Sequence, residues 1–208
     1  MTGVFHLIFG LVIGFVGVIP PGLLNLTAAK ISVKQNRKAA IIFALGASFV
    51  VIGQVYIGVF FSKLLNDNPE TLLLLEQFAI IAFIGLSIFF FIRASLDSGT
   101  PEVKEINRSA AKLVAQGIIL SGLNIFPIPF YIGFSSFLAG KGLFIFTYPT
   151  AHLFIIGASC GTFLMLLAYI KYVKKFAFDS DTFARKINFI LSGLTLLIAI
   201  FTVIRIYG

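Results

Sequence analysis

Charged side chains are scarce in this sequence. Asp, Glu, Lys and Arg make up only 12% of the 208 residues, whereas a soluble domain carries about a quarter. Hydrophobic residues make up 59% of the chain and occur in long runs. Apolar runs of about 18 or more residues predict helices that cross a hydrocarbon layer roughly 30 Å thick. The composition therefore predicts an all-α integral membrane protein.

Motifs for nucleotide hydrolysis and for hydrolytic catalysis are also missing. The sequence has no P-loop, no GxSxG, no HExxH and no paired carboxylates at catalytic spacing, so ATP-driven transport by this chain is excluded on motif grounds. Cys160 is the only cysteine, which excludes an intrachain disulfide. His6 and His152 have no ligand partner at helical spacing. We therefore expect no metal, no cofactor and no enzymatic activity.

The net charge of +8 raises the question of a nucleic-acid partner. The basic residues lie in short clusters between apolar runs, which is typical of loops that set membrane topology, so no nucleic acid is predicted. Six runs are predicted to span the membrane, at about 3–29, 39–64, 71–92, 113–139, 143–170 and 187–207. They form one predicted transmembrane domain, 1–208, with a first half at about 1–94, a cytoplasmic linker at about 95–112 and a second half at about 113–208.

Basic residues are distributed very unevenly between the two sides of this plan. The loops after spans one, three and five hold 13 of the 16 Lys and Arg residues. The opposite side holds three, namely Lys63, Lys141 and Arg205. Because cytoplasmic loops carry the excess of Lys and Arg, the first set of loops is predicted to be cytoplasmic and both termini to lie outside.

Two features recur between the halves. Pro20 and Pro21 in span one are followed 107 and 108 residues later by Pro127 and Pro129 in span four. The tripeptide Gly-Ala-Ser at 46–48 recurs at 157–159, an offset of 111. Since each half has three spans, the second half enters the membrane from the opposite side. The pattern predicts two inverted three-helix repeats in which spans one and four are broken at proline.

Broken helices in a membrane indicate a binding site for a solute. Proline interrupts a helix, and unsatisfied backbone groups are tolerated at this depth only inside protein or beside a water-filled cavity. Candidate substrate-binding residues lie at the two breaks and deep in span two; they are Pro20, Pro21, Gly22, Asn25, Gln54, Asn124, Pro127 and Pro129. The alternative is that the prolines only shape helix packing and that Gln54 bonds to another helix.

Other polar and small residues allow more than one interpretation. Glu76 and His152 are candidates for proton coupling, because ionisable residues within spans are functional candidates by default. Glu76 could instead be an interfacial anchor and His152 a packing residue. Glycine pairs at 10 and 14 and at 157 and 161 allow close helix contact, either within the monomer or in a homodimer.

The first interruption resembles a known family of transporters. The stretch "PPGLLNLTAAKISVKQNRKAAIIFALGASF" is similar to the first span and loop of the LysE/RhtB amino-acid exporters, which carry Pro-Gly-Pro-x-Asn. Pro21, Gly22 and Asn25 match this motif, and Leu23 replaces its second proline. The family's second half carries an Asn-, Pro- and Lys-containing element. Here "LNIFPIPFYIGFSSFLA" keeps Asn124 and Pro127, but Phe126 and Ile128 stand where Asn and Lys are usual.

The resemblance implies a function. It implies a secondary transporter of the bacterial inner (plasma) membrane, an antiporter that exports small polar solutes such as amino acids or their derivatives. Its partners would be a small-molecule substrate and the lipid bilayer. Two alternatives remain open at this point, an accessory membrane subunit and a membrane-embedded enzyme.

Overall fold

A computed structural model describes residues 2–19, 22–67, 69–95, 108–176 and 180–207. Within these ranges all regular structure is helical. The helices are α1 (Thr2–Gly17), α2 (Leu23–Lys34), α3 (Arg37–Asp67), α4 (Pro69–Ser95), α5 (Ala110–Leu123), α6 (Pro127–Gly140), α7 (Thr150–Phe176) and α8 (Ser180–Tyr207).

Several of these helices have the length and composition of membrane spans. Among the described residues, α3 and α7 each qualify alone, and α5 with α6 qualifies as one span bent by 62°. Shorter apolar helices occur at Gly3–Gly17, Phe83–Ile92 and Asn188–Ile204. The chain is therefore an all-helical, multi-pass membrane protein, and the six-span plan stays a prediction.

Both predicted interruptions fall between described helices. The first separates α1 from α2, and Pro20 and Pro21 lie outside the described residues. The second separates α5 from α6, but it precedes its prolines: Pro127 is the first residue of α6. The prediction that span four breaks at Pro127 and Pro129 is thus wrong in position. Proline fits the first turn of a helix, because the N–H groups there have no intrahelical acceptor.

The start predicted for span five is also wrong. The apolar run from Leu143 favoured a helix, but residues 141–149 form a loop and α7 begins at Thr150. Pro149 disfavours helical backbone at the residue before it, which accounts for the late start of the helix. Gly142 turns the chain at the beginning of this loop with a positive φ of 70°, a conformation that suits glycine.

The helices divide into two compact units. The first unit contains α1–α3 and α5–α7, and its buried side chains form two clusters, one including Val55 and Phe154 and the other including Phe43 and Leu166. The second unit contains α4 and α8. There Ser87 Oγ donates to Ser192 O (3.0 Å) and Ser192 Oγ donates to Ser87 O (2.9 Å), so the two helices share a reciprocal pair of hydrogen bonds.

Glycines bring α1 and α7 into backbone contact. A Cβ atom added at Gly10 would lie 2.1 Å from Phe154 O, and one added at Gly157 would lie 2.2 Å from Leu7 O. Gly14 and Gly161 have equally close backbone neighbours on the facing helix. Both glycine pairs therefore pack within one chain, which resolves the choice between monomer packing and a homodimer for these motifs.

The contact between α3 and α5 repeats the contact between α1 and α7. An added Cβ would lie 2.3 Å from Phe43 O at Gly117 and 2.5 Å from Val114 O at Gly46. These residues are related to the α1–α7 set by the offsets seen in the sequence, 107 between α1 and α5 and 111 between α3 and α7. The related contacts are Gly10–Phe154 with Gly117–Phe43, and Leu7–Gly157 with Val114–Gly46.

Candidate functional site

Buried polar side chains gather around the two interruptions in the first unit. On α7, Ser159 and Thr162 lie between Ala158 of one apolar cluster and Leu166 of the other. We call this group of six buried side chains the polar layer; its members are Asn25, Ser48, Gln54, Ser121, Ser159 and Thr162. Ser159 Oγ donates to Ser48 O (2.7 Å), which joins α7 to α3 within the layer.

At the first interruption, side chains cap carbonyl groups in the last turn of α1 and in the two residues that follow it. A helix leaves its last four carbonyls without intrahelical partners, and in a membrane each such group is costly. The capping bonds run from Thr162 Oγ1 to Gly14 O (3.4 Å), from Asn25 Nδ2 to Val18 O (2.7 Å) and from Tyr169 Oη to Ile19 O (2.6 Å). Asn25, predicted to bind substrate, thus joins α2 back to α1.

At the second interruption, a single side chain caps the end of the preceding helix. Gln54 Nε2 donates to Ser121 O (2.9 Å) and to Asn124 O (2.7 Å), so a residue of α3 caps the end of α5. The interhelical bond proposed for Gln54 from the sequence is present. Asn124 contributes its backbone carbonyl to the site, whereas the residue itself is exposed.

Three oxygen atoms of the polar layer have no hydrogen-bond partner among the described residues. They are Ser48 Oγ, Gln54 Oε1 and Ser121 Oγ, on residues that are 5%, 6% and 1% exposed. Leaving a buried polar group unsatisfied costs about 1–3 kcal/mol. Both N–H donors of Gln54 are already in use, and its Oε1, an amide oxygen, can only accept a hydrogen bond. The layer therefore has unused capacity for a group that brings donors.

The helix starts at the two interruptions differ chemically. In the first turn of α6, Pro127 and Pro129 have no N–H, while Ile128 N donates to Ile125 O (3.1 Å) and Phe130 N to Phe126 O (3.3 Å). No donor of that turn is left for a solute.

The start of α2, by contrast, has N–H groups without an acceptor among the described residues. Its N-cap, Gly22, is extended and exposed, with φ −110° and ψ −176°. The N–H groups of Leu23 and Leu24 have no acceptor within the described part of the chain. A helix N-terminus with free N–H groups suits an anion. Among the described residues, only the start of α2 therefore has N–H groups open to an anion.

Neither of the two proton-coupling candidates is among the six members of the polar layer. His152 is exposed on α7, and its ring packs against Tyr148 at a centroid distance of 5.2 Å. Glu76 lies on α4 in the second unit, and its side chain is outside the described structure. No three His, Cys, Asp or Glu residues come together for a metal ion in the part of the chain that was searched.

Thr162 and Tyr169 are site residues that the sequence did not single out. A signal was available, because Ser159, Thr162 and Tyr169 are spaced by three and seven residues in an otherwise apolar run. This spacing places the three on one helical face. The face is the one that supplies donors to the end of α1 and to α3.

We expect Tyr169→Phe to lower the melting temperature of the purified protein by a few degrees. The change deletes the donor to Ile19 O, and a lost hydrogen bond of this kind costs about 0.5–1.5 kcal/mol. Tyr172→Phe, three residues away on an exposed position, is the matched control and should melt like the wild type. Equal melting of the two variants would contradict the capping role of Tyr169.

Paired helix interruptions with buried polar caps, set in long apolar helices, define this chain as a membrane protein of the transporter class. The family model of the LysE type translocators matches residues 15–205, and the chain belongs to that family. The resemblance seen at Pro21, Gly22 and Asn25 is thereby confirmed. Members of this family are translocators rather than enzymes. No curated protein and no solved structure matches the chain.

Proposed function

We propose that this protein is a secondary exporter that carries small polar solutes, amino acids or their derivatives, out of the cytoplasm through the polar layer. The observation that carries the proposal is the set of three unpartnered oxygens on Ser48, Gln54 and Ser121. In an apolar protein, such groups are costly unless a bound polar species satisfies them. A transported solute that brings N–H or O–H donors would do so.

The open groups suggest how a solute would be oriented. Gln54 Oε1 accepts hydrogen bonds and favours the ammonium end of a solute, whereas the free N–H groups at the start of α2 favour a carboxylate. In this proposal Gln54 and Gly22 adjoin the solute directly. Asn25, Asn124 and the four prolines, Pro20, Pro21, Pro127 and Pro129, shape the site by holding the helix ends.

We further propose that the two halves are inverted repeats of three spans each. The recurrence of the α1–α7 contact in α3 and α5, at offsets of 107 and 111, supports this arrangement. The reciprocal bonds between Ser87 and Ser192 are also what a two-fold relation between α4 and α8 would produce. The proposed location is the bacterial inner membrane, and the proposed driving force is proton antiport with Glu76 or His152 as proton carrier.

Cysteine labelling of the loops tests the proposed orientation, in which both termini lie outside. In a Cys160→Ser background, Asn66→Cys and Gly140→Cys should react with a membrane-impermeant thiol reagent added to intact cells. Lys38→Cys and Thr100→Cys should react only after permeabilisation, because their loops carry the excess of Lys and Arg. The reverse pattern would contradict the proposed orientation.

An export screen tests the function itself. Cells that lack their own exporters would express the protein, be challenged with panels of amino acids and dipeptides that are toxic when they accumulate, and be assayed for extracellular release. We expect protection and release for at least one solute that carries an ammonium group. Full membrane insertion without protection from any solute of the panels would count against this substrate class.

A further inference from the structure

His6 holds the loop between α6 and α7 against α1. The residue is only 2% exposed, and its Nε2 accepts a hydrogen bond from the backbone N–H of Ile145 (2.9 Å). The imidazole also packs on the ring of Phe144, at a centroid distance of 5.1 Å, and Phe144 belongs to an apolar core cluster. An Nε2 atom that accepts must be unprotonated, so this geometry requires neutral His6.

A second side chain makes the corresponding connection at the other interrupted span. Gln35, the C-cap of α2, donates from Nε2 to Arg108 O (2.9 Å) and accepts from Arg108 N at Oε1 (3.3 Å). Arg108 lies just before α5, as His6 lies near the start of α1. Each connection therefore ties the loop after one interrupted span to the beginning of the other. One connection uses an imidazole and the other an amide.

The segments that hold His6 supply no carboxylate to pair with a charged imidazole. The sequences of α1, α6, α7 and the loop 141–149 contain no Asp or Glu. Their titratable groups near this end of the unit are Lys141 and Tyr148 on the loop and His152 on α7, all exposed. The carboxylate nearest the corresponding end of α3 is Asp67, its last residue, also exposed. Protonation of His6 would therefore bury a positive charge with no carboxylate on the elements that hold it.

We propose that His6 is a proton-sensitive latch for the outer end of the transport path, whereas the Gln35 connection at the cytoplasmic end does not respond to pH. Protonation places an N–H on Nε2, facing the N–H of Ile145, so the bond breaks and the loop 141–149 is released. Histidine is the side chain whose ordinary titration falls between about pH 5 and 8. This inference rests on the proposed export function, and it links protons arriving from outside to opening on the side where solute leaves.

Spin labelling tests the latch in the full-length protein. A nitroxide would be attached at Leu143→Cys, an exposed loop position, in a Cys160→Ser background, with the protein reconstituted in lipid vesicles. We expect the mobile spectral component to change from the minor to the major fraction on acidification, in a single transition. A label at Val33→Cys, exposed near Gln35, should show no such change.

Three variants test whether His6, and not another titratable group, causes the change in label mobility. His6→Gln keeps an acceptor but cannot be protonated, so the Leu143 label should stay immobile at every pH. His152→Gln should leave the transition unchanged. Because the chain has two histidines, His152→Gln with ¹⁵N-labelled histidine also gives a single imidazole signal. That signal should show the tautomer with an unprotonated Nε2 at pH 8, and it should titrate with the same midpoint as the label. His6→Phe, which has no acceptor, should leave the loop mobile throughout.

Each outcome decides one point. A label at Leu143 that ignores pH in the wild type, or a transition that survives in His6→Gln, would overturn the latch. Loss of the transition in His152→Gln would also overturn it and assign the response to that residue. The magnetic resonance experiments need no substrate. If the transition is present but the export screen finds no solute, the proposed function fails while the latch stands.

Discussion

Gly157→Ala is expected to be recovered as folded protein at only a small fraction of the wild-type amount. An added Cβ would lie 2.2 Å from Leu7 O and 2.9 Å from Leu11 N. Both atoms belong to the backbone of α1, so no side-chain rotation can relieve the overlap and the helices must separate. Overpacking of this kind costs about 1–3 kcal/mol, and separation would also weaken the capping bonds between α7 and the end of α1.

The matched control is Gly53→Ala on α3, where an added Cβ meets nothing within 4 Å. Alanine has a higher helix propensity than glycine by up to about 1 kcal/mol, so this variant should be as stable as the wild type or more so. Gly46→Ala should behave like Gly157→Ala, because its Cβ would lie 2.5 Å from Val114 O. Size-exclusion chromatography and thermal unfolding in detergent would measure all three. Equal yields for Gly157→Ala and Gly53→Ala would contradict the tight α1–α7 contact.

The sequence predicted the class of the fold and which two spans are interrupted because those depend on local properties. Long apolar runs predict membrane helices, and prolines mark places where a helix cannot continue. Local rules could not decide whether Pro127 ends one helix or begins the next, since both positions are acceptable for proline. The structure places Pro127 at the start of α6, which moves the second interruption to residues 124–126.

Hydrogen bonds between distant parts of the chain could not be predicted from the sequence, for a different reason. Gln54 was recognised as a polar residue deep in a span, but its two acceptors are 67 and 70 residues further along the chain. Asn25 and Asn124 were both predicted to bind substrate, as one asparagine near each interruption. The structure uses the side chain of Asn25 as a cap and the carbonyl of Asn124 as an acceptor. Which group of a residue is used depends on helix orientation, which spacing alone does not fix.

The two interruptions differ in the side chains that cap them and in the N–H groups that they leave available. At the first, three side chains cap the end of α1, and N–H groups at the start of α2 have no acceptor in the described part of the chain. At the second, Gln54 caps the end of α5 alone, and prolines and local bonds leave no free donor at the start of α6. The second half is also where Phe126 and Ile128 replace the family's usual residues. The proposed site therefore has its N–H donors at the first interruption, at the start of α2. Gln54 Oε1, an acceptor without a partner among the described residues, lies beside the second.

Gln54→Leu is expected to abolish export. Leucine has a similar length but cannot donate, so Ser121 O and Asn124 O would both lose their Gln54 partner. Ser121 O keeps its bond from Asn124 N, so the cost is that of lost hydrogen bonds, about 0.5–1.5 kcal/mol each, and we expect the melting temperature to fall as well. The variant also removes one of the three buried oxygens that are proposed to meet the solute. Export in whole cells and melting of the purified protein would be measured side by side.

Ser121→Ala separates the loss of binding from the loss of stability. The Ser121 hydroxyl has no partner in the described structure, so its removal should leave the melting temperature unchanged or slightly raised. If the polar layer binds the solute, the same change should still weaken export by about 2–10-fold, the effect of losing roughly 0.5–1.5 kcal/mol of hydrogen bonding. Unimpaired export by Ser121→Ala, together with a Gln54→Leu defect no larger than its loss of folded protein, would reduce the polar layer to a structural support. The solute would then have to cross the protein elsewhere.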